Sequence, residues 1–96
     1  MSHSINSSRA WSVVLAREAE KQFKKLPIDR QQLILRHLKL MRADPFHGDV
    51  KPLKGEEWKG RYRKRIGRYR IIFRPLSAEH IVNVLAILPR NERTYR

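Results

Sequence analysis

Residues 60–75 read GRYRKRIGRYRIIFRP, and the alternation on either side of Gly67 constrains the chain more than any other feature. If Gly67 and Arg68 form a two-residue loop, glycine at the first central position suits a type II′ turn. Ile66 then faces Tyr69, Arg65 faces Arg70, Lys64 faces Ile71, Arg63 faces Ile72 and Tyr62 faces Phe73. Cross-strand partners share a face and successive residues alternate between faces. Tyr62, Ile66, Tyr69, Ile71 and Phe73 therefore make one apolar face, interrupted by Lys64. Arg63, Arg65 and Arg70, with Ile72, make the other. Lys64 is expected to bury its stem and carry its ammonium to the sheet edge.

Seven of these sixteen residues are Arg or Lys. Like charges directly opposite one another destabilise a strand pair by several tenths of a kcal/mol, and Arg65 and Arg70 are such a pair. A fold has no need of this arrangement. A bound phosphate reverses its sign, because guanidinium groups take phosphate oxygens bidentately. The competing reading is three arginines splayed into solvent.

The rest of the chain supplies what must cover the apolar face. Trp11 to Leu15 is a short β-branched run, long enough for one strand. In AREAEKQFKKL, Ala16, Ala19, Phe23 and Leu26 recur three or four apart, which predicts an amphipathic helix. Pro27 breaks it and opens a second helix from Ile28 to about Arg42, with a stripe of Ile34, Leu35, Leu38 and Met41 widened by Leu33 and Leu40. His37 lies beside the stripe and reads as a helix-surface residue. Pro45 forbids continuation. DPFHGDVKPLKGEEWKG is a long turn-rich connection, of the kind that is usually functional or mobile. Three strands follow: Gly60 to Ile66, Tyr69 to Leu76, and His80 to Leu88. The last, HIVNVLAIL, is apolar enough for a central strand covered on both faces, and Pro89 ends it. The order β-α-α-β-β-β predicts an α+β domain, a helical hairpin packed on a mostly antiparallel four-stranded sheet.

Ninety-six residues make one domain: residues 1–10, polar and small, read as a flexible tail, and 11–96 as the folded unit. No stretch reads as a signal peptide or approaches the length of a bilayer span, so a cytoplasmic protein is expected. The chain has no cysteine, which removes disulfides and thiolate metal sites. Its histidines, His3, His37, His47 and His80, show no metal-ligand spacing, and neither metal nor cofactor is expected.

The formal charge is +13, and it is uneven: residues 1–50 carry nine basic and five acidic side chains, residues 51–96 thirteen and four. So basic a half meets polyanions or an acidic partner, since counterion release and field steering favour association. Lys51 and Lys54 from the connection, and Arg90, Arg93 and Arg96 from the tail, are further candidates for phosphate contact. Tyr95 is the neutral titratable side chain in this basic set. No aromatic platform for stacking single-stranded bases is legible.

KPLKG, then WKGRYRKRIGRYRIIF, then an apolar strand and a basic tail ending in TYR, resembles the RelE/ParE superfamily of toxin–antitoxin toxins, from about Trp11 to the C-terminus. The resemblance implies the compact RelE-like, microbial-RNase-like fold. For the RelE branch it implies a metal-independent endoribonuclease that cleaves mRNA in the ribosomal decoding site. In that reaction a ribose 2′-OH attacks the adjacent phosphorus, leaving a 2′,3′-cyclic phosphate and a 5′-OH. By position, Arg63 and Arg65 match basic residues on the first hairpin strand that are often lysines. Arg70 matches the arginine after the second tyrosine, Arg90 a basic residue beyond the last strand, with Arg93 competing for that place, and Tyr95 the C-terminal catalytic tyrosine.

Arginines spread charge but do not act as bases, so Tyr95 is the expected general base. A free tyrosine is only ~0.1% ionised at pH 7, and neighbouring cations favour the ionised form. The chain departs from the family in having arginine for lysine on the hairpin, which leaves Lys51 or Lys54 as possible proton donors. It also has no His or Glu matching the acid–base residues of some ribosome-dependent relatives. The expected partners are a cognate antitoxin, mRNA and the ribosome, with operator DNA reached only through the antitoxin complex. The alternative is a ParE-like inhibitor of DNA gyrase that performs no chemistry. A plain nucleic-acid-binding module is a third, weaker possibility.

Overall fold

The computed structural model describes residues 10–89. The tail expected at 1–10 falls outside them except for Ala10, as do residues 90–96. The chain forms β1 (Ser12–Leu15), α1 (Arg17–Lys24), α2 (Ile28–Ala43), β2 (Val50–Pro52), a single 3₁₀ turn (Glu56–Trp58), β3 (Tyr62–Ile66), β4 (Tyr69–Leu76) and β5 (Ile81–Pro89).

The helices and the α+β class are as expected, but the sheet has five strands, in the order β1-β5-β4-β3-β2. β1 runs parallel to β5, and every other pair is antiparallel. The additional strand, β2, lies inside the turn-rich connection. Three residues are too few to show a period, and Pro52 speaks against a strand. At an edge, however, its missing N–H costs no ladder bond.

Gln31 joins the two helices. Its Nε2 donates to the carbonyls of Phe23 and Leu26, both at 3.1 Å, at the end of α1, where the Phe23 carbonyl also accepts the Leu26 N–H. α1 also completes the sheet. β1 ends opposite Val84, and further along β5 the Ile87 N–H donates to Gln22 Oε1 at 2.6 Å.

The core lies between the hairpin of helices and one face of the sheet. It unites Ala19 of α1, Ile34, Leu38 and Met41 of α2, and Ile66, Ile71, Phe73, Val82, Val84 and Ile87 of the strands. Each fully buried Ile, Val or Phe contributes ~1.5–3 kcal/mol relative to leaving it exposed. The stripe on α2 is narrower than its sequence implies. Ile34, Leu38 and Met41 fall on one line facing the sheet, whereas Leu35 and Leu40 rotate outward and are 44% and 46% exposed. Leu35 joins Val13, Leu15, Leu38, Lys39 and Arg42 around a groove of about 270 Å³ between α2 and β1.

β5 is interior to the sheet, yet it is not covered equally on both faces. Val82, Val84 and Ile87 are buried, while Ile81, Asn83, Ala86 and Leu88 are half-buried. The β4 register steps from Ile72 opposite Ala86 to Phe73 opposite Val84, so Leu85 is an extra residue. A bulge of this kind hides the period of two in a run that is apolar throughout. None of the described helices is long and apolar enough to cross a membrane.

Candidate functional site

The face of the sheet turned away from the helices carries the arginines. The observed β3–β4 register pairs Ile66 with Tyr69, Arg65 with Arg70, Lys64 with Ile71, Arg63 with Ile72 and Tyr62 with Phe73, as the alternation around Gly67 predicts. Gly67 has φ +56, a left-handed value at the first turn position that glycine adopts without strain. β2 and β5 extend the rows on either side. Lys51 lies opposite Arg63, Ala86 opposite Ile72, and Leu88 opposite Arg70. One row therefore runs Lys51, Arg63, Ile72, Ala86, and the next runs Arg65, Arg70, Leu88.

Asp49 closes the second row at its outer end. One position beyond the Val50–Lys64 pair, its carbonyl accepts the Arg65 N–H at 3.0 Å, and its side chain turns to the arginine face. The carboxylate meets Arg63 Nη1 at 3.3 Å and Arg65 Nη1 at 3.9 Å. Two guanidinium groups thus hold one carboxylate between them. Part of the like-charge cost attributed to the hairpin is offset within the chain. Asp49 does not stand out in the sequence as a site residue, because its acidity becomes relevant only when β2 forms and lays it beside Arg65.

The Arg63 side chain is 12% exposed, whereas those of Arg65 and Asp49 are 42% and 47% exposed. Arg70 is half-buried in β4. Lys51 is exposed on β2, and Lys54 is exposed just beyond it, off the strand. The structure therefore assembles Arg63, Arg65, Arg70 and Lys51 on one face and leaves Lys54 to the side. Arg90, Arg93, Tyr95 and Arg96 lie outside the described residues.

The arginine row is also longer than the sequence suggests. The Leu53 N–H donates to the Arg61 carbonyl at 2.9 Å, continuing the β2–β3 ladder and placing Arg61 on the face of Arg63 and Arg65. Arg61 donates to the Glu57 carbonyl at 2.6 Å and lies over the Trp58 ring, 5.9 Å from its centroid. Trp58 is 41% exposed. An exposed aromatic therefore does stand at the end of this row, a feature the sequence conceals inside a loop.

On the opposite face Lys64 is 1% exposed. Its ammonium donates to the carbonyl of His47, at the sheet edge where the stem was expected to deliver it. Burial lowers its pKa, and Asp44 and Asp49 act in the other direction. Gly48, at φ +87, sits so close that a Cβ there would lie 2.9 Å from Lys64 Nζ. His37, half-buried on α2, is held below the usual imidazole range by burial, then by Lys64, Arg36 and His47. Its Nδ1 is buried without a hydrogen-bond partner. Among the described residues no three His, Asp or Glu side chains are grouped as metal ligands.

A two-helix hairpin packed on a mostly antiparallel sheet is the fold this chain shares with RelE-like toxins of known structure. The chain matches the family described as the ParE toxin of type II toxin–antitoxin systems over residues 13–94, and it belongs to that family within the RelE/ParE superfamily. Similar solved structures include the archaeal RelE–RelB complex from Pyrococcus horikoshii OT3, with 24% identity over 85% of this chain and 97% of that one and a TM-score of 0.74. The RelBE2 toxin–antitoxin complex from Mycobacterium tuberculosis gives 23% identity, 84% and 99% coverage and a TM-score of 0.76. A YoeB/ParE toxin from Agrobacterium tumefaciens gives 17%, 83% and 99%, and 0.70. No curated protein sequence matches the chain. At these identities the structural likeness establishes the fold.

Proposed function

We propose that this toxin is an endoribonuclease that cleaves mRNA in the ribosomal decoding site, acts in the cytoplasm and is neutralised by a cognate antitoxin. The observation that carries the reading is the pair of guanidinium groups, Arg63 and Arg65, gathered on one carboxylate with Arg70 next in the row. An RNA phosphodiester presents a comparable pair of acceptor oxygens with the same single charge, and further phosphates flank it along the strand. RNA supplies its own nucleophile: the 2′-oxygen forms a bond to phosphorus as the bond to the 5′-oxygen breaks. Arg63, Arg65 and Arg70 hold the non-bridging oxygens and stabilise the charge that grows on them. Tyr95 takes the 2′-OH proton, and Lys51 or Lys54 returns one to the departing 5′-oxygen. Arg90, or Arg93 in its place, adds a further phosphate contact, and Lys54 and Arg96 bind the flanking backbone.

Primer extension on transcripts incubated with programmed ribosomes tests this. Discrete cuts are expected with the wild type and none with Tyr95→Phe, and the upstream fragments are expected to carry 2′,3′-cyclic phosphates that block 3′ ligation until they are removed. An uncut transcript overturns the enzyme reading. The match to the ParE family favours a second reading, inhibition of DNA gyrase by binding. Loss of supercoiling in a purified gyrase assay, undiminished in Arg70→Ala and Tyr95→Phe, identifies it.

A further inference from the structure

We infer that Asp49 is a built-in competitor for the phosphate site, an internal anion that substrate must displace, and that it sets how tightly the arginine face holds RNA. The inference rests on the ribonuclease reading, since it names what occupies that site before RNA arrives.

Three observations converge on it. The Asp49 carboxylate contacts both Arg63, at 3.3 Å, and Arg65, at 3.9 Å, the two positions at which the hairpin presents guanidinium groups from one strand. Its backbone is held in the ladder by a bond apart from the carboxylate, and Arg63 Nη1 also reaches the Asp49 carbonyl at 3.5 Å. The Asp49 carbonyl accepts the Arg65 N–H at 3.0 Å, and the residues before it are held from below by the Lys64 ammonium on the His47 carbonyl. The carboxylate can therefore leave the arginines by rotating its own side chain, with no change in the sheet. Its side chain is also 47% exposed, so an incoming anion has access and the displaced carboxylate can be solvated.

Competition and support have opposite signs. If Asp49 merely aligned the arginines for substrate, removing its charge would weaken RNA binding. If it occupies the site, removing its charge strengthens binding, because the carboxylate otherwise stays near the bound phosphate and repels it. Removing one unit charge about 5–6 Å from the bound anion at a solvent-exposed site tightens binding by about 3- to 10-fold. It also steepens the dependence of log K on log salt by about 0.7 for a single strand. This arrangement gives the toxin a bias toward multiply charged anions, since a monoanion gains little by replacing one already in place.

The test uses a fluorescein-labelled 2′-O-methyl oligonucleotide, which lacks the nucleophile and is not cut, with binding measured by anisotropy between low and physiological salt. Asp49→Asn is expected to bind about 3- to 10-fold tighter with the steeper slope. Glu79→Gln, the same charge change in the exposed β4–β5 turn, is expected to alter affinity by less than about 2-fold. Asp49→Ala, which also preserves the backbone bond, repeats the measurement if the asparagine side chain makes contacts of its own. Unchanged or weaker binding in both Asp49 variants, with binding lost in Arg63→Ala, overturns the inference and leaves the ribonuclease reading standing. Equal tightening by Glu79→Gln overturns it too, since the effect would then be one of total charge. Wild-type binding by both Arg63→Ala and Arg70→Ala overturns the underlying reading.

Discussion

The Lys64 ammonium donates to the His47 carbonyl from a side chain that is 1% exposed. One buried cation thereby fastens the loop between α2 and β2 beneath the sheet whose other face carries the arginines. Lys64→Ala removes the stem and the hydrogen bond together and is expected to cost ~2–4 kcal/mol, as for other large-to-small core changes. Lys64→Met keeps the volume and relieves the burial of charge, so its cost is expected to stay within about 1 kcal/mol. Urea unfolding of the two variants checks the difference.

Gly48 answers to the same contact. At φ +87 an alanine is strained, and its Cβ would lie 2.9 Å from Lys64 Nζ. Gly48→Ala is expected to destabilise by ~1–3 kcal/mol. In a Lys64→Met background the steric share is relieved and the backbone share persists. A double-mutant cycle is therefore expected to show a coupling of ~0.5 kcal/mol or more; strict additivity would mean that the lysine end moves aside at no cost.

His37 makes stability depend on pH. Its folded pKa lies below the ordinary value of 6.5, so below pH 6.5 the unfolded chain binds a proton that the folded chain resists. Its contribution is present above pH 6.5 and is lost as pH falls through the folded pKa. His37→Leu is expected to flatten the fall in unfolding free energy between about pH 7 and pH 5. Parallel curves for the variant and wild type would remove His37 from the account.

Arg70 separates activity from stability. Arg70→Met keeps an aliphatic stem and removes one member of the Arg65–Arg70 opposition, and urea unfolding measures what the lost guanidinium contributes to stability. Cleavage on programmed ribosomes is expected to fall by ~10²- to 10³-fold, the usual loss when a group stabilising transition-state charge is removed. Full activity in a folded variant would exclude Arg70 from the site.

Residues close together in the chain determined much of this protein. The β3–β4 register follows from Gly67 and a period of two, which is why the segregation of Tyr62, Ile66, Tyr69, Ile71 and Phe73 from Arg63, Arg65 and Arg70 is legible in the amino-acid order itself. The two helices follow likewise from apolar spacing and from Pro27 and Pro45. Tertiary structure alone decided the rest. β2 is a strand because β3 offers it an unpaired edge, a property that VKP does not carry within itself. Asp49 became the partner of Arg63 and Arg65 only through that pairing, and Arg61 joined the arginine row only when the same ladder continued past Pro52. Leu35 and Leu40 turned outward because α2 meets the sheet along a narrower line than its own stripe. Local sequence specifies which side chains share a face, whereas which strand lies beside which depends on contacts between distant segments.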